Sequence, residues 1–402
     1  MKNQIVLGSF FGDEGKGATV QWLCKKAIKR KEKVIVARFS GGAQCGHRVI
    51  NGKKEHVFSL FGSGSLLDVP TYLDENVFVD PISVRNEYDL LKSKEANPTL
   101  YINGNCRVTT PFDILANRED LTTLSHGSCG GGIYHTFKRY KDFAASGEET
   151  MNLAYALIFP RMYINKVMDY YKNIPEDIDD VDLRDLIEDF IDALSWIKKN
   201  VKIIPNDMLL HNFVFSKYDT IIWEGSQGLL LDMDYGFMPH CTPSKTGLNG
   251  IKEEYLQDAE VFLVMRTYLT RHGNGFTPIG EEYIRKHYVN LDEPTNKDTG
   301  YQGKFKLGVF NLRLLERVND RHHLENYKYH YNIKYNVVVN HFDCLRKNFY
   351  FTINGEQILT SYRYFDNSPD RGFPKTVKTI IKSSFPFDAF YAGYSYDKIL
   401  KI

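Results

Sequence analysis

The stretch that decides the fold is "NQIVLGSFFGDEGKGATVQWLCKKAIKRK", residues 3–31. It opens on a short apolar run and passes through a turn with glycines at positions 8, 12, 15 and 17. It then continues with Val20, Leu23, Cys24 and Ile28 on one face at helical spacing. A second buried run, "KVIVARF" (33–39), follows directly. Strand, glycine turn, helix and strand in that order are the opening of a parallel sheet joined by crossovers. The turn itself combines two carboxylates and a lysine with its glycines. A strand feeding a helix N-terminus through such a turn makes a phosphate cradle, because backbone N–H groups point inward and the helix dipole favours anions. Lys16 adds a point charge for a phosphate. Gly17 and Ala18 stand where a Walker motif would carry Ser or Thr for magnesium, so Asp13 is left to supply a magnesium oxygen or to act as a base.

Further apolar runs predict the rest of the sheet: "NVFVD" (76–80), "TLYING" (99–104), "DTIIWEG" (219–225), "AEVFLVM" (259–265) and "YNVVVNHFD" (335–343). Each is rich in β-branched or aromatic residues and ends in polar residues or glycine. The expected fold class is α/β, a large, mainly parallel central sheet with helices on both faces and the site at the strands' carboxyl ends. Residues 150–200 read as a helical insertion, within which "EDIDDVDLRDLIEDF" (176–190) is a solvated helix face. "RYFDNSPDRGFPK" (363–375) reads as a loop. Without repeats or linkers, residues 1–402 are expected to form one continuous domain.

Composition narrows the function. The formal net charge of +1 argues against a polyanion-binding surface, so nucleic acid is not an expected partner. No apolar run is long enough to span a bilayer and the start "MKNQIVLG" has no signal-peptide character, so a cytoplasmic protein is expected. The six cysteines include no CxxC pair, and neither a zinc site nor a disulfide framework is indicated.

Two more motifs belong at the strand ends. "RFSGGAQCGHRVINGKK" (38–54) follows the second strand, and its glycines permit close backbone approach to a ligand. His47 within it is a candidate acid or electrostatic stabiliser. In "WEGSQGLLLDMDYGFMPHCTPSKTG" (223–247) a strand ends at Glu224 and turns sharply. Gln227 there offers both donor and acceptor to a nucleobase or phosphate, while Asp232 and Asp234 read as capping and turn residues.

With these motifs in order along nearly its whole length, the chain resembles the adenylosuccinate synthetase family. The carriers are "GDEGKG", the "RFSGGAQCGH" loop, "HGSCGGGIYHTFKR" (126–139), "EGSQG", "TYLTRHGNGFTP" (267–278) centred on Arg271, and "VNHFD" (339–343). The resemblance implies a ligase in which GTP phosphorylates the 6-oxygen of IMP and the amino group of L-aspartate displaces that phosphate. Asp13 and His47 would be catalytic, Asp13 as base and magnesium ligand and His47 as donor to the transferring phosphoryl group. Mg2+ would also take the Gly46 carbonyl. Gly12, Glu14, Gly15, Lys16 and Gly17 fall on the nucleotide loop, Asp343 on the acceptor for guanine, and Gly393 beside the base. Gln44, Ser128, Cys129, Gln227 and Thr242 fall on substrate contacts, and Arg139 or Lys141 on a basic residue that reaches the partner subunit's substrate. A homodimer is therefore implied.

Departures from the family pattern concern the substrate. The arginine-rich aspartate loop becomes "TGYQGKFKLGVFN" (299–311), leaving Thr299, Lys304 and Lys306 to hold the aspartate with point charges. Arg48 and Cys129 replace threonines. This form is similar to phage-type branches, some of which use dGMP with ATP or dATP and yield 2-aminoadenylosuccinate, in a phage-infected host cell. Retention of Asp13 favours the 6-oxopurine ligase chemistry in general, IMP is the commoner substrate of the family, and Asp343 favours GTP. A GTP-binding switch without ligase activity is the alternative of another class, but it leaves the His47 loop and "EGSQG" unexplained.

Overall fold

The computed structural model describes residues 1–147, 151–172, 180–276, 278–291, 293, 301, 303–345, 349–353, 357–358, 372–395 and 398–402. Ten strands form the central sheet: β1 (Lys2–Gly8), β2 (Val34–Arg38), β3 (Thr71–Leu73), β4 (Leu100–Asn103), β5 (Lys202–Ile204), β6 (Thr220–Glu224), β7 (Glu260–Arg266), β8 (Lys334–Asn340), β9 (Ala389–Ser395) and β10 (Lys398–Lys401). Their spatial order is β10-β9-β8-β7-β1-β6-β2-β3-β4-β5. Only the β9–β10 pairing is antiparallel. The expected parallel α/β sheet is therefore present.

Why these runs are strands is visible in their burial. Val6 packs on one face with Val20, Leu23, Cys24, Ile222 and Val264, beneath helix α1 (Lys16–Lys29). Ile5 and Leu7 point the other way, into a larger core with Ile221, Trp223, Val261, Leu263 and Leu315. Strands covered on both faces need continuous apolar sequence, which is why the period-2 signal is weak and the run itself is the signal. Burying a side chain of this size contributes roughly 1.5–3 kcal/mol.

The chain leaves β1 for β2, works outward to β5, returns to insert β6 between β1 and β2, then builds β7 to β10 on the other side. The direction of winding thus reverses around β1. In open α/β sheets the crevice beyond the carboxyl ends at such a reversal is where ligands are held. The register Val6–Glu224–Arg38 brings the ends of β1, β6 and β2 level there.

One expected strand is corrected in detail. "NVFVD" is not part of the central sheet: Phe78–Val79 pairs with Arg107–Val108 in a separate ribbon. The run then caps helix α2 (Pro81–Ser93), where the Asp80 side chain accepts from the Ile82 and Ser83 N–H groups and Pro81 occupies the first turn. The helical reading of 150–200 holds for Leu153–Ile158, Pro160–Tyr170 and Asp180–Asn200. These helices share a core with Leu73, Leu100 and Ile102 through Leu153, Ile164, Phe190, Leu194 and Ile197. The first part of the acidic run and most of 363–375 lie outside the described residues.

Arg139 is also corrected. It sits in helix α3 (Ile133–Ala145) with no exposed surface. Its Nε donates to Asp113 Oδ1 at 2.9 Å and its Nη2 to Asp113 Oδ2 and the Val108 carbonyl, each at 2.8 Å. A guanidinium held in this way anchors the helix and does not reach a second subunit. Lys141, two positions on, is exposed. Arg139→Ala should lower unfolding stability by about 3–5 kcal/mol in a urea titration, because it strands a buried carboxylate. Lys141→Ala should leave the midpoint unchanged.

Candidate functional site

A cleft of about 960 Å³ opens at the winding reversal, lined by Gly12, Asp13, Lys16, His47, Gln227 and Asp343, among others. Its floor is the glycine turn. Gly15 has φ +94° and lies so close to Asn340 that a Cβ would meet its Nδ2 at 2.6 Å, so only glycine fits. Asp13 also adopts a left-handed backbone, φ 60°. Its own carbonyl accepts from Arg266 Nε, and the Gly12 carbonyl accepts from Thr270 Oγ1 at 3.0 Å. The turn is thus clamped by β7 and the strand Tyr268–Arg271, and the Asp13 carboxylate is left facing the cleft.

Glu14 behaves differently from its expected role. Its carboxylate is buried, accepts from the Phe10 and Gly12 N–H groups at 2.9 and 3.0 Å, and lies 3.4 Å from Lys16 Nζ. Lys16 also donates to the Gln227 carbonyl. Glu14 fastens the turn from inside and is absent from the cleft wall, whereas Gly12, Gly15, Lys16 and Gly17 line it.

His47 begins the hairpin His47–Asn51/Lys54–Phe58 and stands against the start of α1. Its Nδ1 donates to Glu224 Oε1 at 2.6 Å. Glu224, at the end of β6, further accepts from the Ser63 N–H at 2.9 Å and from the Ser63 hydroxyl. Burial alone would raise the Glu224 carboxyl, but His47, Arg38 and Ser63 outweigh it and hold it at about 2. Burial lowers the His47 pKa, with Glu224 pulling the other way. A neutral imidazole donating from Nδ1 presents Nε2 to the cleft, and a proton arriving there is stabilised by the carboxylate behind.

Opposite stands an anion-seeking wall. Arg271 is 1% exposed, yet its Nε and Nη1 have no partner among the described residues, and only Nη2 bonds, to the His240 carbonyl at 3.3 Å. Burial lowers this guanidinium to about 10. An uncompensated buried cation is costly and marks a place for an anion. His272 places Nε2 3.6 Å from Asp13 Oδ2. Gln44 and Gln227 each hold a buried, unpartnered Oε1 in the same cleft.

The structure gathers Asp13, Gln44, Gly46, His47, Ser128, Cys129, Gln227, Thr242 and Asp343 onto the one cleft. Gly393 is not part of its wall; a Cβ there would collide with Asn340 Oδ1. Lys304 is exposed and outside the wall, and Lys306 donates to the Gly273 carbonyl at 2.8 Å. Thr299 lies outside the described residues. Sequence reasoning assigned no role to Glu224 or His272. Glu224 had a signal, since a carboxylate ending a fully apolar strand must find partners inside. His272 had none, because its contact with Asp13 joins positions far apart in the chain.

The family model described as adenylosuccinate synthetase matches residues 5–361. The chain belongs to the adenylosuccinate synthetase family. Among curated relatives, the adenylosuccinate synthetase of Thermoplasma volcanium is 27% identical over 285 residues, covering 69% of this chain and 63% of that protein. That of Halothermothrix orenii is 28% identical over 288 residues, covering 69% and 65%. The matched part of the chain thus spans a little under two thirds of these relatives. The fold is shared more completely. A fully ligated adenylosuccinate synthetase from Plasmodium falciparum superimposes with TM-score 0.71 at 17% identity, covering 99% of both chains. The succinoaminodeoxyadenylate synthetase of cyanophage S-2L, bound to dGMP and dATP, gives 0.63 at 13% identity, covering 100% and 95%. No helix among the described residues is long and apolar enough to cross a membrane.

The His47–Glu224 contact has a measurable sign. His47 should titrate below its ordinary value, and Glu224→Gln should lower it further, because the one charge favouring the imidazolium is removed. Histidine NMR titration of both proteins reads this, and an upward shift in the variant contradicts the assignment.

Proposed function

We propose that this chain joins L-aspartate to C6 of a purine nucleoside monophosphate through a 6-phosphoryl intermediate, with IMP as substrate and GTP as phosphoryl donor. The observation that carries the reading is the single cleft shared by Asp13, Lys16, His47, Gln227, Asp343 and Arg271, whose Nε and Nη1 have no partner among the described residues. Membership in the family supports the reaction class. A GTP switch leaves the His47–Glu224 pair beside the nucleotide loop unexplained.

The steps follow from the residues. Asp13 takes the proton from purine N1, which makes the 6-oxygen nucleophilic. The oxygen attacks the terminal phosphorus of the donor, and the phosphoanhydride bond breaks. Lys16 and the amides of the glycine turn neutralise negative charge there, and His47, once protonated and backed by Glu224, donates to the transferring group. The aspartate amine then attacks C6 and phosphate leaves. Arg271 is the group placed to hold an aspartate carboxylate, replacing the assignment to Lys304, while Lys306 lies beside it in the paired strand. The Asp13 carboxylate and Gly46 carbonyl offer oxygen donors that suit magnesium, which when bound adds charge neutralisation at the phosphoryl oxygens. The exposed Asp343 carboxylate is the acceptor that favours guanine over adenine in the donor. We further propose a cytoplasmic homodimer as the working form.

Incubation with aspartate and magnesium, crossing IMP, dIMP, GMP and dGMP against ATP, dATP and GTP, should give a succinylated product with IMP and GTP. Mass spectrometry checks this, and product from dGMP with dATP alone would replace the substrate assignment. Asp13→Asn should slow turnover by at least ~10²-fold while GTP still binds. Arg271→Gln should raise the KM for aspartate more than that for IMP.

A further inference from the structure

At the far end of the same cleft the chain leaves β8 and turns through His341, whose backbone is left-handed at φ 64°, into the short turn Phe342–Cys344. Phe342 is buried against Tyr394, ring centroids 5.7 Å apart, which pins the turn. The result is a constellation of which the ligase reading uses only Asp343 and leaves His341 and Cys344 without a role. One ligand atom from each of His341, Asp343 and Cys344 lies within 4.8 Å of the other two. His341 Nδ1 and Cys344 Sγ are 3.5 Å apart. A tetrahedral cation with sulfur at about 2.3 Å and nitrogen at about 2.0–2.1 Å sets those two atoms about 3.6 Å apart. Two of three ligands are therefore already at the required separation. The third, Asp343, is exposed and lines the cleft together with the other two.

We propose that His341, Asp343 and Cys344 form a site for one borderline-soft divalent cation of the zinc class, with the fourth position open to the cleft. The donor set excludes magnesium and calcium, which demand oxygen, and separates this site from the one at Asp13. The nearby positive group, Arg266, is paired with Glu293 and so does not present an uncompensated charge to the cation. The Asn290 carbonyl, 3.5 Å from Cys344 Sγ, now takes the thiol and is released when the thiol proton is displaced to solvent on binding. Cation and purine base both require the Asp343 carboxylate, so they exclude one another. That last consequence rests on the nucleotide placement proposed above; the cation site itself does not.

The test uses the full chain without nucleotide. Equilibrium dialysis against Zn2+ should retain about one ion per chain, with about one proton released. Co2+ as a probe should give the intense visible absorption of a tetrahedral thiolate complex. Cys344→Ser should abolish the Co2+ spectrum and Asp343→Asn should weaken Zn2+ binding at least ~10-fold. Asp343 is exposed, so that variant keeps the fold, which circular dichroism checks. Equal Zn2+ retention by the original chain and Cys344→Ser overturns the site. Cys344-dependent binding that GTP and ATP fail to displace upholds the cation site and overturns the placement of the base against Asp343.

Discussion

A carboxylate cannot stay ionised inside a protein unless donors replace the water it loses, and two such carboxylates organise this molecule. Glu14 folds the glycine turn around itself, taking two backbone N–H groups that a nucleotide phosphate would otherwise be expected to meet. Glu224 reaches from the end of β6 and fixes both the His47 ring and the Ser63 loop. Removing the donors around either one strands a buried charge at a cost of several kcal/mol. The turn and the imidazole are thereby held rigid relative to each other, which is the condition for electrostatic preorganisation.

The sheet makes this arrangement possible. Parallel register places Val6, Glu224 and Arg38 side by side, so that residues more than 180 positions apart in sequence end at one level. The reversal of winding about β1 opens the crevice above them. The second, smaller sheet, begun by Tyr268–Arg271 and Lys306–Asn311, closes over the glycine turn and delivers Arg271 and His272 to it. The cleft therefore has one side that carries Asp13 and the Glu224-held His47, at the strand ends of the large sheet, and another that carries Arg271 and His272 from the small one.

Much of the fold was legible because strands buried on both faces leave apolar runs that nothing else explains. β1, β2, β4, β6, β7 and β8 were all readable this way. β3 and β5, three residues each, were not, since so short a segment carries no pattern distinct from a loop. "NVFVD" misled for a related reason: Val77, Phe78 and Val79 are fully buried, as in a central strand, but by the helices and ribbon around residues 100–170. The residues on the glycine-rich loops do gather on one cleft, and their composition was readable because glycine is costly unless backbone must approach something closely. Arg139 was misplaced because a basic residue in a helix looks the same from sequence whether it faces solvent or a buried Asp113.

By itself, the sequence determined most of the long buried strands, the glycine turn after β1 and the loops that meet it, since these depend on local composition and spacing. Tertiary structure alone decided which charges are paired. Glu14 was turned inward, Glu224 was given to His47, Arg271 was left with Nε and Nη1 unpartnered among the described residues, and His341 was brought against Cys344. Pairing is a contest between desolvation and contacts made across the fold, and that contest is settled only when the distant segments are packed together.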